Sequence, residues 1–120
     1  MTEKSLFIEV FKKRTKQMAI HAIRLFQLLP NTEEARVMGK QLVRSASSTA
    51  ANYRAACRAR SQQEFFAKIS IVIEECDETL FWLELIEESM IYAKPELKAL
   101  QTEVTEILRV VSKARKTLST

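Results

Sequence analysis

Apolar residues recur along this chain at three- and four-residue steps almost from end to end, the spacing of one helix face. Phe7, Phe11, Met18, Ala22, Leu25 and Leu29 predict a first helix over residues 3–29. Pro30 ends it, because proline lacks an N–H and disfavours helical geometry in Leu29. Asn31 or Thr32 can cap a second helix over 33–58, with Glu33 and Glu34 favourable in its first turn. Ser61-Gln62-Gln63-Glu64 reads as a capping box, so the second helix should break near Ala59. A third helix over 62–92 then carries Phe66, Ile69, Ile73, Cys76, Leu80 and Leu83, continuing to Met90. Pro95 suits the first turn of a last helix over 95–118, with Leu97, Leu100, Val104, Ile107, Val111 and Leu118 as its apolar face.

Four long helices with short links form an all-α, up-down-up-down antiparallel four-helix bundle in one domain, 1–120. Gly occurs once and Pro twice, with 47% apolar residues, which agrees with a mostly helical chain. No apolar run approaches the length of a membrane span, and the N-terminus has no signal-peptide pattern, so a cytoplasmic location is expected.

The second helix departs from ordinary amphipathicity. It splits into three seams, two of them filled at mid-length by small side chains. Met38, Leu42, Ser45, Thr49, Asn52 and Ala56 form one; Gly39, Val43, Ala46, Ala50, Tyr53 and Cys57 form the next. Small residues bury little area each, so these seams need a partner backbone close by and large side chains opposite. Ser45, Ala46, Thr49, Ala50, Asn52 and Tyr53 are therefore candidate packing or oligomer-contact positions. So is Trp82, which with Ile71, Phe81 and Leu85 widens the third helix's apolar surface beyond what one neighbour covers.

The third seam is cationic. Arg36, Lys40, Arg44, Arg54 and Arg58 fall within about 80° of helix surface at 100° per residue, with Arg60 just beyond. Residues 1–60 carry 12 basic and 4 acidic groups, whereas residues 61–120 carry 7 basic and 11 acidic. The basic half can attract a polyanion or pair with the acidic half, within a subunit or across an interface. Lys12, Lys13, Arg14 and Lys16 on the first helix read as a solvated face.

Catalytic patterns are lacking. There is no Gly-rich phosphate loop and no paired-cysteine metal spacing. Glu74, Glu75, Asp77 and Glu78 lack the Glu-x-x-His pairs of di-metal bundles, and the only histidine, His21, reads as a packing or surface residue. Cys57 and Cys76 lie on helices that turn back near Arg60, which sets them roughly 20 Å apart along the axis at 1.5 Å per residue, too far for a disulfide. They read as buried free thiols. No enzyme, metal or cofactor is expected.

One segment carries a resemblance. Arg44-Ser45, Ser48, Ala51-Asn52-Tyr53-Arg54, Ala56-Cys57-Arg58, Arg60-Ser61 and Glu64-Phe65 resemble the bacterial four helix bundle proteins, also called 23S rRNA intervening-sequence proteins. The similarity continues through Lys68, Ile71, Glu74-Glu75, Asp77-Glu78 and Trp82-Leu83-Glu84-Leu85. The family commonly has a glutamate shortly after the asparagine; Ala55 stands here, so that acid's role does not carry over. The resemblance implies a homopentamer of four-helix bundles. Some members are encoded within intervening sequences of 23S rRNA genes. Relatives accompany diversity-generating retroelements, where basic surfaces serve nucleic acid and a reverse transcriptase. The expectation is a non-enzymatic oligomer binding RNA or DNA through Arg36, Lys40, Arg44, Arg54, Arg58 and Arg60. The alternative is an adaptor for a reverse transcriptase or other protein, its arginines making intersubunit salt bridges.

Overall fold

Thr2 starts the first helix by accepting the Ser5 N–H on its side-chain oxygen at 3.1 Å, which satisfies one of the four donors a helix leaves unpaired. The structure, a computed structural model, describes residues 2–119, with side chains through Thr117. It contains α1 (Glu3–Leu28), α2 (Glu33–Ala56), α3 (Gln62–Glu88) and α4 (Pro95–Ser119). Each helix packs on the next, and α4 closes back on α1. Paired contacts run in opposite chain directions along every seam: Phe11 meets Tyr53, Ser45 meets Thr79, Cys76 meets Val104 and Arg14 meets Glu103. The result is an up-and-down bundle measuring 45 × 24 × 19 Å.

The helix ends follow local chemistry. Leu29 is extended (φ −67°, ψ 152°), as the residue before a proline prefers. Of the two candidate caps after Pro30, Thr32 takes the position and accepts from Ala35 N. Ser61 Oγ accepts from Glu64 N at 3.0 Å, the forward half of the expected box, while the Glu64 carboxylate lies 3.6 Å from Arg60. Three ends come earlier than expected, α1 by a single residue at Leu28. α2 stops at Ala56, and Cys57 closes it by donating its N–H to Tyr53 O at 3.0 Å. α3 stops at Glu88, four residues short of the expected end. Met90 turns left-handed there (φ 64°), Ile91 N reaches back to Ile86 O at 3.1 Å, and Met90 N donates to Glu87 O at 3.0 Å. That crossing pair of bonds is the usual way to satisfy a helix's last carbonyls, and it normally selects glycine. Met90 consequently leaves the apolar stripe and stands 83% exposed.

Met18, Leu42, Ile69, Val72, Leu83, Ile86, Leu97, Val104, Ile107 and Val111 are fully buried and form the core. Phe7, expected on the α1 core face, instead stacks on Phe11 at 5.7 Å and stays 54% exposed. Leu118 of the expected α4 face lies outside the described side chains. Cys76 is buried, with its thiol on Val104 O, and burial pushes it up to about 12; Cys57 is only half-buried. Both are free.

The two seams of α2 separate as their small residues require. Ala35, Gly39, Leu42, Ser45, Ala46, Thr49, Tyr53 and Ala56 are buried. A Cβ on Gly39 would overlap the Phe26 ring and crowd Leu29 Cδ1 at 3.2 Å. The buried hydroxyls form a chain: Thr49 donates to Ser45 O at 2.8 Å, and Thr79 of α3 lies 2.9 Å from Ser45 Oγ and 2.8 Å from Glu75 O. No buried polar side-chain atom is left without a partner among the described residues.

Opposite this seam, Arg14 of α1 grips Glu103 of α4 through Nε and Nη2, both at 2.8 Å, and also reaches Glu106. The hydrogen bond from Arg14 holds the Glu103 carboxyl below its ordinary 4.5. Arg14 therefore leaves the solvated patch read from the sequence; Lys13 and Lys16 stay exposed.

Three outcomes follow. Gly39→Ala gains about 1 kcal/mol of helix propensity but overpacks the Phe26 site by typically 1–3 kcal/mol, so thermal denaturation should show a net loss. Met90→Gly relieves a left-handed side chain costing roughly 1–2 kcal/mol while loosening the unfolded chain, and should raise the melting temperature by a few degrees. Glu103 has a lowered folded value, so its stabilisation is present above pH 4.5 and is lost as pH falls through that lower value. Glu103→Gln should therefore cost up to about 1 kcal/mol at neutral pH and progressively less as pH is lowered below 4.5, read from melting curves across that range.

Candidate nucleic-acid interface

α2 turns its small-residue seams inward, so its opposite side has no helix to cover it. Lys40, Arg44 and Arg54 lie there, and Arg36 lies beside them in the first turns; because α2 ends at Ala56, Arg58 sits with Arg60 in the link to α3 rather than on the helix, and all six are exposed. The geometry then sorts them.

Arg44 is tied to α3. Its Nη1 donates to Glu75 Oε2 at 3.0 Å, its Nη2 to Glu78 Oε2, and its Nε to Gln41 Oε1 at 3.0 Å. Glu78 Oε2 also accepts the Trp82 indole N–H at 2.9 Å. Trp82 first and Arg44 second hold the Glu78 carboxyl below its ordinary range, and Glu78 in turn raises the Arg44 guanidinium. Arg36 donates to Asn31 Oδ1 at 2.7 Å, within the α1–α2 link. Arg60 is 89% exposed on its side chain, and its one ion pair among the described residues is with Glu64 at 3.6 Å. Lys40, Arg54 and Arg58 have no acid within 4.0 Å among the described residues. Arg54 and Arg58 are close neighbours without an offsetting acid, and like charges so placed cost a little stability.

The positions read as packing sites also divide. Ser45, Ala46, Thr49 and Tyr53 are buried inside the chain itself, with Phe11 edge-on to Tyr53 at 4.8 Å. Ala50 and Asn52 are half-buried, and Asn52 donates to Ser48 O at 2.9 Å on its own helix. Trp82 is half-buried, edge-on to Phe81 at 5.1 Å.

Two features went unread in the sequence. On α3 the exposed acids Glu74, Asp77, Glu84 and Glu88 share their face with Ile71 and with Phe81, which is 51% exposed. The spacing already puts the four acids on one side, but it assigns Ile71 and Phe81 to a different, apolar side; their exposure among the acids shows only once α2 and α4 are in place. The second is a cavity of about 590 Å³ at the end of the bundle where α1 begins and α2 ends. Hydrophobic residues far apart in sequence line it, so periodicity carries no trace of it.

Among the described residues, no three His, Cys, Asp or Glu side chains come together to hold a metal ion. Burial and its Tyr53 neighbour set the Cys57 thiol, with burial dominant and the direction upward, which disfavours the thiolate a nucleophile needs. No described helix is long and apolar enough to cross a membrane.

The description "23S rRNA-intervening sequence protein" matches residues 8–113 of this chain. The chain is also similar to the crystal structure of a protein with unknown function from the S23 ribosomal protein family of Bacteroides thetaiotaomicron. The two share 30% identity and a TM-score of 0.80, over 88% of this chain and 97% of that one. No protein of the curated set matches.

The sorting of the cations gives a direct expectation. Arg44→Ala breaks two interhelix ion pairs and should lower stability by up to about 1 kcal/mol, as partly exposed pairs do. Arg54→Ala with Arg58→Ala should leave the stability of the isolated chain unchanged within about 0.5 kcal/mol, measured by urea unfolding at low protein concentration.

Proposed function

This chain belongs to the family of 23S rRNA-intervening sequence proteins, and on that footing we propose that it is a non-enzymatic, self-assembling bundle that binds RNA. The observation that carries the reading is the set Lys40 and Arg54, exposed on one side of α2, and Arg58, exposed in the link that follows, with no acid within ion-pair distance among the described residues. Arg36 and Arg60 extend it at either end. Arg44 contributes less, because Glu75 and Glu78 already neutralise it. Lysine and arginine without internal partners release phosphate counterions at no cost in protein ion pairs. In the homopentamer that the family resemblance implies, the stripe repeats five times and a modest site becomes a multivalent one. Such a protein works in the cytoplasm, where RNA is available.

The test is filter binding of a structured RNA across a salt series. Affinity should fall steeply with salt, with log K against log salt losing roughly 0.7–0.9 in slope for each phosphate contact removed. Lys40→Ala, Arg54→Ala and Arg58→Ala together should flatten that slope by about two to three units. Binding that is absent at low salt, or indifferent to salt, overturns the proposal.

A second reading rests on α3. Its outward face sets Phe81 and Ile71 among four exposed acids, a surface of the opposite charge to the α2 stripe. It suits a protein partner: the α2 side of a neighbouring copy, or an enzyme such as a reverse transcriptase for which the bundle acts as adaptor. Native mass separates the readings. Arg54→Ala with Arg58→Ala that dissolves the assembly favours intersubunit salt bridges; intact assembly with weakened RNA binding favours the nucleic-acid surface.

A further inference from the structure

The cavity of about 590 Å³ opens where the first turns of α1, the last of α2 and α4 and the first of α3 draw apart. Protein interiors rarely leave voids much larger than a water molecule, and a space in the 300–1,000 Å³ range is the size of small-molecule sites. Its wall is aromatic and aliphatic: Phe7, Ile8, Phe11, Tyr53, Phe65 and Val110 contribute most of the large side chains, with the half-buried Cys57 among them. Phe7 does not fill it, lying stacked on Phe11 instead. Leu6 and Val10, each more than half exposed, flank Phe7 on the first turns of the same helix.

The lining holds one ionised side chain, Lys4, exposed and without an ion-pair partner among the described residues. The nearby Lys12 is different, because Glu9 already balances it at 2.8 Å. An apolar chamber with a single unbalanced cation is complementary to a molecule with an apolar chain and one negative charge. We propose that this end of the bundle binds a single-chain anionic amphiphile of the fatty-acid class, its chain among Phe11, Tyr53 and Phe65 and its carboxylate paired with Lys4. The site is separate from the α2 stripe, and the RNA reading stands or falls without it.

The experiment titrates the full chain with sodium dodecanoate below its micelle concentration, followed by calorimetry and by the rate at which Cys57 reacts with a maleimide. Cys76 is fully buried, so Cys57 supplies the signal. One equivalent should bind per chain and slow Cys57 modification at least fivefold. Decanoate, two methylenes shorter, should bind roughly tenfold more weakly. Lys4→Glu, at an exposed position that leaves the fold intact, should weaken dodecanoate at least fivefold and strengthen dodecyltrimethylammonium. Ala114 lines the chamber on α4, and Ala114→Phe, which fills it, should abolish binding of both. Overturning results are the absence of saturable heat, affinity unchanged in Lys4→Glu, or binding to anionic vesicles without binding to monomeric dodecanoate. Full protection of Cys57 in the ligand-free protein also overturns it, since another copy would then occupy the end of the bundle.

Discussion

The close approach of α2 to its neighbours is the constraint on which the rest of this structure depends. Gly39 admits the edge of the Phe26 ring, and Ala35, Ala46 and Ala56 let large side chains from the facing helices reach the axis of the bundle. Close approach brings in little apolar area per residue, so contact must be dense to compensate. It also brings polar groups into the interior, and they are satisfied locally: Ser45, Thr49 and Thr79 bond to backbone carbonyls and to one another. A helix so built has only one way to face. Its small side is inside, and its basic side is outside.

The charge layout follows from that orientation. With its inner seams committed, α2 meets the acids of α3 only along one border, where Arg44 bridges Glu75 and Glu78 and Trp82 braces Glu78. On the far seam Arg14 does the same with Glu103 and Glu106. These two clamps tie opposite sides of the bundle, and exposed pairs of this kind contribute modestly to stability while fixing which faces adjoin. Cations beyond reach of those borders are left to solvent, as are the acids on the outer face of α3. A single chain therefore carries an unbalanced basic strip and an unbalanced acid–apolar strip, which is the physical basis for reading it as a protein that binds something, itself included.

The early ends of α2 and α3 matter beyond bookkeeping of residues. By stopping at Ala56, α2 leaves Cys57 and Ala59 in a link that spreads the helices, and the chamber behind Phe7 opens at that point. At the other end the left-handed Met90 turns the chain within a few residues, and Leu97 and Leu100 are buried close after it. That end keeps two smaller cavities, of about 320 and 330 Å³, beside the last turns of α1, against about 590 Å³ at the other end.

By itself the sequence determined the four helices, their order, the Ser61 cap and most of the core, and narrowed the α2 cap to Asn31 or Thr32, because those depend on nearest neighbours: hydrophobic period, Pro30, Pro95 and the Ser61–Glu64 pair act over a few residues. The family too was legible, since its motifs sit in consecutive turns from Arg44 to Leu85. Tertiary structure decided what depends on residues distant in the chain. It placed Arg14 on Glu103 and Arg44 on Glu78, separated the paired cations from Lys40, Arg54 and Arg58, and exposed Phe81 among the acids of α3. The stripe on α2 was visible as a pattern of charge, but a pattern carries no record of which charges meet a partner. Coulombic pairing falls off within a few ångströms at a wet surface, and only the folded chain brings groups dozens of residues apart within that distance.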